Sequence, residues 1–242
     1  MIRIAAVGDI HVGEDGDDAL AADLAQLPEC ADVLLLAGDL TRHGTRAEAV
    51  ELGRLLREVP VPVVAVLGNH DHHCDETGAV VEVLEAAGVT VLEGGTTVLE
   101  VDGTTLGVAG VKGFGGGFAG ACASDFGEPE MKAFVRHTKD IAARLRTALA
   151  TLDTDHRVAL LHYSPVADTL RGEPPEIHPF LGSYLLAEAI DAAGADLVLH
   201  GHAHRGSERG TTPGGVRVRN VARPLIQGSF SLFELDPEVA RR

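Results

Sequence analysis

VLLLAGDL (33–40) holds the unit from which this chain is built. Asp32 leads into five apolar residues, Val33 to Ala37; Gly38 lets the backbone turn, and Asp39 is delivered at the end. The same unit occurs earlier as IRIAAVGD (2–9) and later as VPVVAVLGNHD (61–71), with Gly8, Gly38 and Gly68 evenly spaced. Short continuous apolar runs of this kind are what a strand buried on both faces looks like. An interval of about thirty residues fits strand–helix–strand units. Ligands of open α/β sheets gather at the carboxyl ends of strands. Three ends carrying Asp9, Asp39 and Asn69-His70 therefore point to a metal site.

Outward from these strands, the pattern predicts a helix over 17–27 and another from Thr45 to about Glu58. The latter is opened by Thr45 with Glu48 three residues on, a capping box. A short helix (77–87) closes at Gly88, and VTVLEGG (89–95) reads as a strand. Residues 96–114 read as a hairpin turning at Asp102-Gly103. The change from alternating strand and helix to local pairing predicts either a mixed sheet or two sheets. Residues 113–127 are irregular, a surface loop with Phe side chains tucked into the core or a flap near the site. A long helix (128–152) follows, then RVALLHYS (157–164), a buried strand ending at His162. The Pro-rich segment 164–183 is the second candidate wall over the site. A helix over 183–194 leads to the last buried strand, ADLVLHGHAH (195–204), which releases His200, His202 and His204. VRVRNVA (216–222) and SFSLFEL (229–235) are expected to extend the second sheet.

Composition bounds the function. The formal charge of −16 argues against a broad nucleic-acid-binding surface, which needs clustered Lys and Arg. It leaves a phosphate substrate open, because bound divalent metals invert the local field. Cys30, Cys74 and Cys122 are odd in number and far apart, so neither a disulfide framework nor a thiolate metal site is expected. Strand one starts at Ile2, which leaves no room for a signal peptide, and no apolar run is long enough to span a membrane. The expectation is a cytoplasmic protein forming a single domain over residues 1–242.

Five strand ends in order supply Asp9-x-His11, Gly38-Asp39, Gly68-Asn69-His70-Asp71, His162 and Gly201-His202-x-His204. Each alone is weak, whereas the ordered set is specific. With the motifs DxH, GD, GNHD, H and GHxH, the sequence resembles the calcineurin-like metallophosphoesterase superfamily from residue 2 to about 235. It is most similar to the small bacterial phosphodiesterases and phosphatases. The resemblance implies an α/β fold, a four-layer αββα sandwich of two mixed sheets flanked by helices, with the metal site at strand carboxyl ends. By motif, Asp9, His11 and His204 are expected to hold one metal, Asn69, His162 and His202 the other, and Asp39 both. Imidazole and carboxylate donors suit two Mn²⁺, Fe²⁺, Zn²⁺ or Ni²⁺ ions rather than Mg²⁺ or Ca²⁺. The implied chemistry is attack of a bridging hydroxide on a small phosphodiester or phosphomonoester. His70 is then not a ligand but the group assisting the leaving oxygen, with Asp71 either orienting it or capping a loop. Arg42 and His43 are candidate phosphate contacts. His200 is expected in a supporting or core position, and His72 and His73 in solvent. The alternatives are a nuclease or nucleotidase of the same fold, which the acidic surface disfavours, and a non-catalytic metal-binding scaffold, which the complete motif set disfavours.

Overall fold

The computed structural model describes residues 1–236, so the end of the domain expected over 1–242 lies outside the described residues. The first half alternates strand and helix: Ile2–Val7 (β1), Asp18–Leu24 (α1), Leu27–Cys30 (α2), Val33–Ala37 (β2), Arg46–Arg57 (α3), Val63–Val66 (β3), Thr77–Ala86 (α4) and Val89–Val91 (β4). A hairpin follows, Gly95–Val101 (β5) and Thr104–Val111 (β6), and then a small ribbon, Gly117–Phe118 (β7) with Ala121–Cys122 (β8). The second half runs Pro129–Thr151 (α5), His156–Leu161 (β9), His178–Leu181 (α6), Tyr184–Ala193 (α7) and Leu197–His200 (β10). It closes with Arg209–Thr211 (β11), Arg217–Asn220 (β12), Arg223–Ile226 (α8) and Ser231–Leu235 (β13).

The strands form two mixed sheets, in the orders β13-β1-β2-β3-β4 and β11-β12-β10-β9-β6-β5. In each the central strands are parallel and the edges include an antiparallel partner: β13 on β1, β11 on β12 and β5 on β6. Because side chains alternate along a strand, the apolar run of β2 feeds two cores. Val33, Leu35 and Ala37 face the second sheet, where they meet Val158, Leu160 and Leu199 in one fully buried cluster. Leu34 and Leu36 face outward onto Leu52, Leu56 and Leu84 of α3 and α4. On the far side, Ala159 and Leu161 pack against Leu145, Leu149 and Ile190 of α5 and α7. The result is helix, sheet, sheet, helix, as expected for the fold. Each such buried aliphatic side chain contributes about 1.5–3 kcal/mol, so truncating Leu35 or Leu160 would cost several kcal/mol.

Local signals act as the sequence suggests. Thr45 and Glu48 form the reciprocal capping box of α3. Asp102 and Gly103 turn the hairpin with φ of 48° and 76°, the two positive values that a type I′ turn needs. Two expectations require correction. Residues 89–91 do not begin the local β pairing: β4 lies parallel to β3 and completes the first sheet. Residues 231–235 do not extend the second sheet: β13 pairs antiparallel with β1, in the register Ile2↔Leu235 to Ala6↔Ser231. After β12 the chain crosses back beneath Gly8, whose N–H donates to Val221 O and whose carbonyl accepts from Arg223 N–H. The alternation of β13 marks a half-exposed edge strand, but either sheet offers such an edge. Among the described residues no helix is long and apolar enough to cross a membrane.

Candidate metal centre

Each ligand candidate sits just beyond the carboxyl end of a central parallel strand: Asp9 after β1, Asp39 after β2, Asn69 after β3, His162 after β9, and His202 and His204 after β10. The backbone continues the ladder past the strands. Asp9 N–H donates to Gly38 O at 2.8 Å, His11 N–H to Asp39 O at 3.1 Å, and Gly201 N–H to His162 O at 3.2 Å. Asp9, His11, Asp39 and His202 all adopt positive φ, 57°, 46°, 50° and 69°. Non-glycine residues held there are strained, and such strain persists where surrounding structure over-determines it, commonly at ligand sites. Two motif glycines make the convergence possible. A Cβ on Gly68 would sit 2.1 Å from Asp39 Oδ1, and one on Gly201 would sit 2.2 Å from Asp9 Oδ2.

Two ligand clusters result. Donor atoms of Asp9, His11, Asp39 and His204 all lie within 4.8 Å of one another, as do those of Asp39, His162 and His202. Asp39 belongs to both. Asn69 joins the second, its Oδ1 3.0 Å from His162 Nε2, which is also 3.3 Å from Asp39 Oδ1. The His162 ring donates from Nδ1 to the Ala37 carbonyl at 2.9 Å, and burial holds its pKa well below the ordinary value. Nε2 is therefore an unprotonated acceptor facing two oxygen acceptors, an arrangement stabilised by a cation among them. The His202 ring donates from Nε2 to Phe180 O at 3.3 Å, leaving Nδ1 for the site, and burial lowers its pKa to about 3. Burial likewise lowers His11 to about 4. Three neutral imidazoles and two nearly inaccessible carboxylates, Asp9 at 2% and Asp39 at 1% exposure, are the donor set of a borderline divalent ion. In the first cluster a proton occupies part of that role. Burial, and then the charge of Asp39, raise Asp9 to about 6, while its hydrogen bond to His204 Nε2 at 2.8 Å raises His204. The residues present fit two metal ions.

His70 stands beside the centre, outside the two ligand clusters. Its Nδ1 donates to Arg42 O at 2.8 Å and its backbone N–H to Asp39 Oδ1 at 2.8 Å, so Nε2 faces Asp39 Oδ2 at 3.9 Å. Asp71 does not orient it. That carboxylate is fully buried and accepts from Leu40 N–H, Thr41 N–H, Thr41 Oγ1 and Gly68 N–H at 3.1, 2.8, 2.6 and 2.8 Å. It ties the loop carrying Asp39 to the loop carrying Asn69, the loop-capping alternative. Burial lifts its pKa to about 6.

The remaining candidates disperse. Arg42 pairs with Asp15 at 3.2 Å, and His43 Nδ1 bonds Glu48 Oε1 at 2.8 Å. His200 is buried on Gly201 O and Thr169 Oγ1. His73 is exposed as expected, but His72 is not in solvent: Nδ1 meets Thr77 Oγ1 at 3.1 Å and Nε2 is buried without a partner. The Pro-rich wall reaches the site through the Phe180 carbonyl. The segment 113–127 lies against that wall, Gly116 N–H on Pro179 O and Gly117 N–H on Gly182 O, with Phe118 buried and Phe126 exposed. Lys112, at the end of β6, occupies a strand-end position like the ligands, which a hairpin reading of 96–114 does not bring out. A cavity of about 510 Å³ lined by Phe118, Val166, Tyr184, Ala187 and Pro213 contains none of the cluster residues.

This fold and site define a metal-dependent phosphoester hydrolase framework. The chain belongs to the calcineurin-like phosphoesterase family, whose model matches residues 2–206. Among solved structures it is similar to the phosphopantetheinyl hydrolase of Mycobacterium tuberculosis, at 18% identity and a TM-score of 0.71, with 97% of this chain and 96% of that one covered. A protein of Thermus thermophilus aligns at 21% identity and 0.59, covering 99% and 96%. A putative 5′-nucleotidase from Staphylococcus aureus aligns at 16% and 0.57, covering 90% of this chain and 48% of that one. These likenesses are of fold. No curated protein matches the sequence.

Proposed function

We propose that the chain hydrolyses a small phosphodiester, or less efficiently a phosphomonoester, at two divalent transition-metal ions. The observation that carries this reading is Asp39, shared by two ligand clusters built from imidazoles and buried carboxylates. Asp9, His11 and His204 hold one ion, and Asn69, His162 and His202 the other. Two such ions supply an activated water and the positive charge that neutralises phosphoryl oxygens. The chain's own contribution is to place donors before substrate arrives, since the loops are hydrogen-bonded to one another and to Asp71. His70, held by the Arg42 carbonyl, directs Nε2 to the side where a leaving oxygen departs.

A diester is favoured because its phosphate carries one charge. Arg42, whose carbonyl holds the His70 ring, has its guanidinium engaged with Asp15 rather than left for a dianion. A polynucleotide is disfavoured by the net charge of −16. The test is a turnover panel on Mn²⁺-loaded protein. It compares an aryl phosphomonoester, an aryl phosphodiester, 3′,5′- and 2′,3′-cyclic nucleotides and a phosphopantetheinyl ester, the last suggested by the hydrolase that shares the fold. Turnover of the diesters above the monoester is expected. Metal-loaded, folded protein that hydrolyses none of them would overturn the proposal.

A further inference from the structure

Lys112 follows β6 directly, and its carbonyl accepts from His162 N–H at 2.9 Å and Tyr163 N–H at 3.0 Å, which fixes its backbone to the metal-bearing strand end. Its ammonium lies 5.2 Å from the Phe114 ring centre and 5.4 Å from that of Tyr163. The Tyr163 ring in turn lies 4.3 Å from the His202 ring. One aromatic ring thus separates a cation from a metal-ligand candidate. Among the described residues the ammonium has neither an ion pair nor a hydrogen bond. Burial depresses its pKa, and Glu93 and Asp39 offset this only at longer range. The basic groups His72 and His137 feel the same charge from two other elements, and the His137 ring packs edge-on against Phe114 at 4.6 Å. A half-buried, unpaired ammonium is costly unless a partner arrives, and ring faces replace only part of its hydration.

We infer that Lys112 binds a second anionic group of the substrate, distinct from the phosphoryl group under attack. It thereby selects phosphoesters that carry an additional phosphate, phosphonate or carboxylate. The inference rests on the hydrolase reading, and its substrate class is narrower. A charge-assisted hydrogen bond in a half-buried site gives about a ten- to hundredfold preference.

The test compares two p-nitrophenyl phosphodiesters with the same leaving group, the ethyl ester and the 2-phosphonoethyl ester, on full-length Mn²⁺-loaded protein. Wild type should favour the phosphonate in kcat/KM by about tenfold or more, less so in high salt. Lys112→Met should bring the ratio near one, and Lys112→Arg should keep most of it, with melting temperature and bound metal recorded for each. No preference in wild type, a preference that survives Lys112→Met, or an equal loss on both esters would each overturn the assignment. If neither ester is hydrolysed, the hydrolase reading fails. The Kd values of the two esters for wild type and Lys112→Met then decide the Lys112 assignment by the same ratio.

Discussion

Replacing Asp71 by Ala tests whether this carboxylate fastens the site's loops or serves His70. The substitution removes the one acceptor that, among the described residues, serves four buried donors, the N–H groups of Leu40, Thr41 and Gly68 and the Thr41 hydroxyl. Each buried donor left unmade costs about 1–3 kcal/mol. Water entering the vacated space recovers part of that. Removing a buried negative charge, whose cost is seen in the pKa raised to about 6, recovers more. The net expectation is a loss of about 3–4 kcal/mol, or roughly 10 °C in Tm for a chain of this size. Urea unfolding of metal-free protein is the assay, because it separates loop fastening from metal binding. Asp71→Asn keeps the shape but turns an amide NH₂ toward two N–H donors, so it should fall between wild type and Ala. Metal affinity should weaken in both variants, since Leu40 and Gly68 adjoin Asp39 and Asn69. An Ala variant within about 1 kcal/mol of wild type, the range of an unremarkable substitution, but with low activity, would return Asp71 to the role of orienting His70.

Asp39→Asn should lower the occupancy of both ions, whereas Asn69→Ala should weaken mainly one; elemental analysis of purified protein distinguishes the two. Metal uptake should release protons, because Asp9 at about 6 and the raised His204 hold them in the metal-free state. Metal displaces those protons, so affinity should be fully developed only above the raised pKa of His204. It should fall as pH drops through that value and then through about 6, where Asp9 also takes up its proton. Calorimetry in two buffers of different ionisation enthalpy counts the protons, and a pH-independent affinity would contradict the assignment. His70→Ala should keep both metals and its Tm yet lose about 10²–10⁴-fold on an alkyl ester. It should lose less on a nitrophenyl ester, and an equal loss on both would mean that His70 positions phosphate instead.

The strand ends are legible because each buried run is short and apolar, and Gly8, Gly38, Gly68 and Gly201 mark the ends that deliver Asp9, Asp39, Asn69 and His202, while His162 follows its run directly. The capping box of α3 and the Asp102-Gly103 turn are legible for a related reason: both are local hydrogen-bond or φ requirements. What depends on distant chain is not. The destination of β13 depends on a crossover under Gly8, and its alternating pattern fits either sheet edge. That Arg42 serves the site through its carbonyl, with its guanidinium on Asp15, cannot be read from side-chain identity. Glu48 holds both the backbone and the ring of His43, so a residue beside the motif proves to be part of a helix cap. Lys112 stays hidden because a hairpin reading attends to pairing and not to which end of β6 meets the metal-bearing strands.

The central claim is that phosphoester hydrolysis needs both ions held through Asp39. Metal-free protein titrated with Mn²⁺ while it hydrolyses bis(p-nitrophenyl) phosphate tests it most directly, with bound metal counted at each point. The rate should climb until the second equivalent is bound and then level. A rate that saturates with one bound ion, or a folded protein that binds two and hydrolyses nothing, would contradict it.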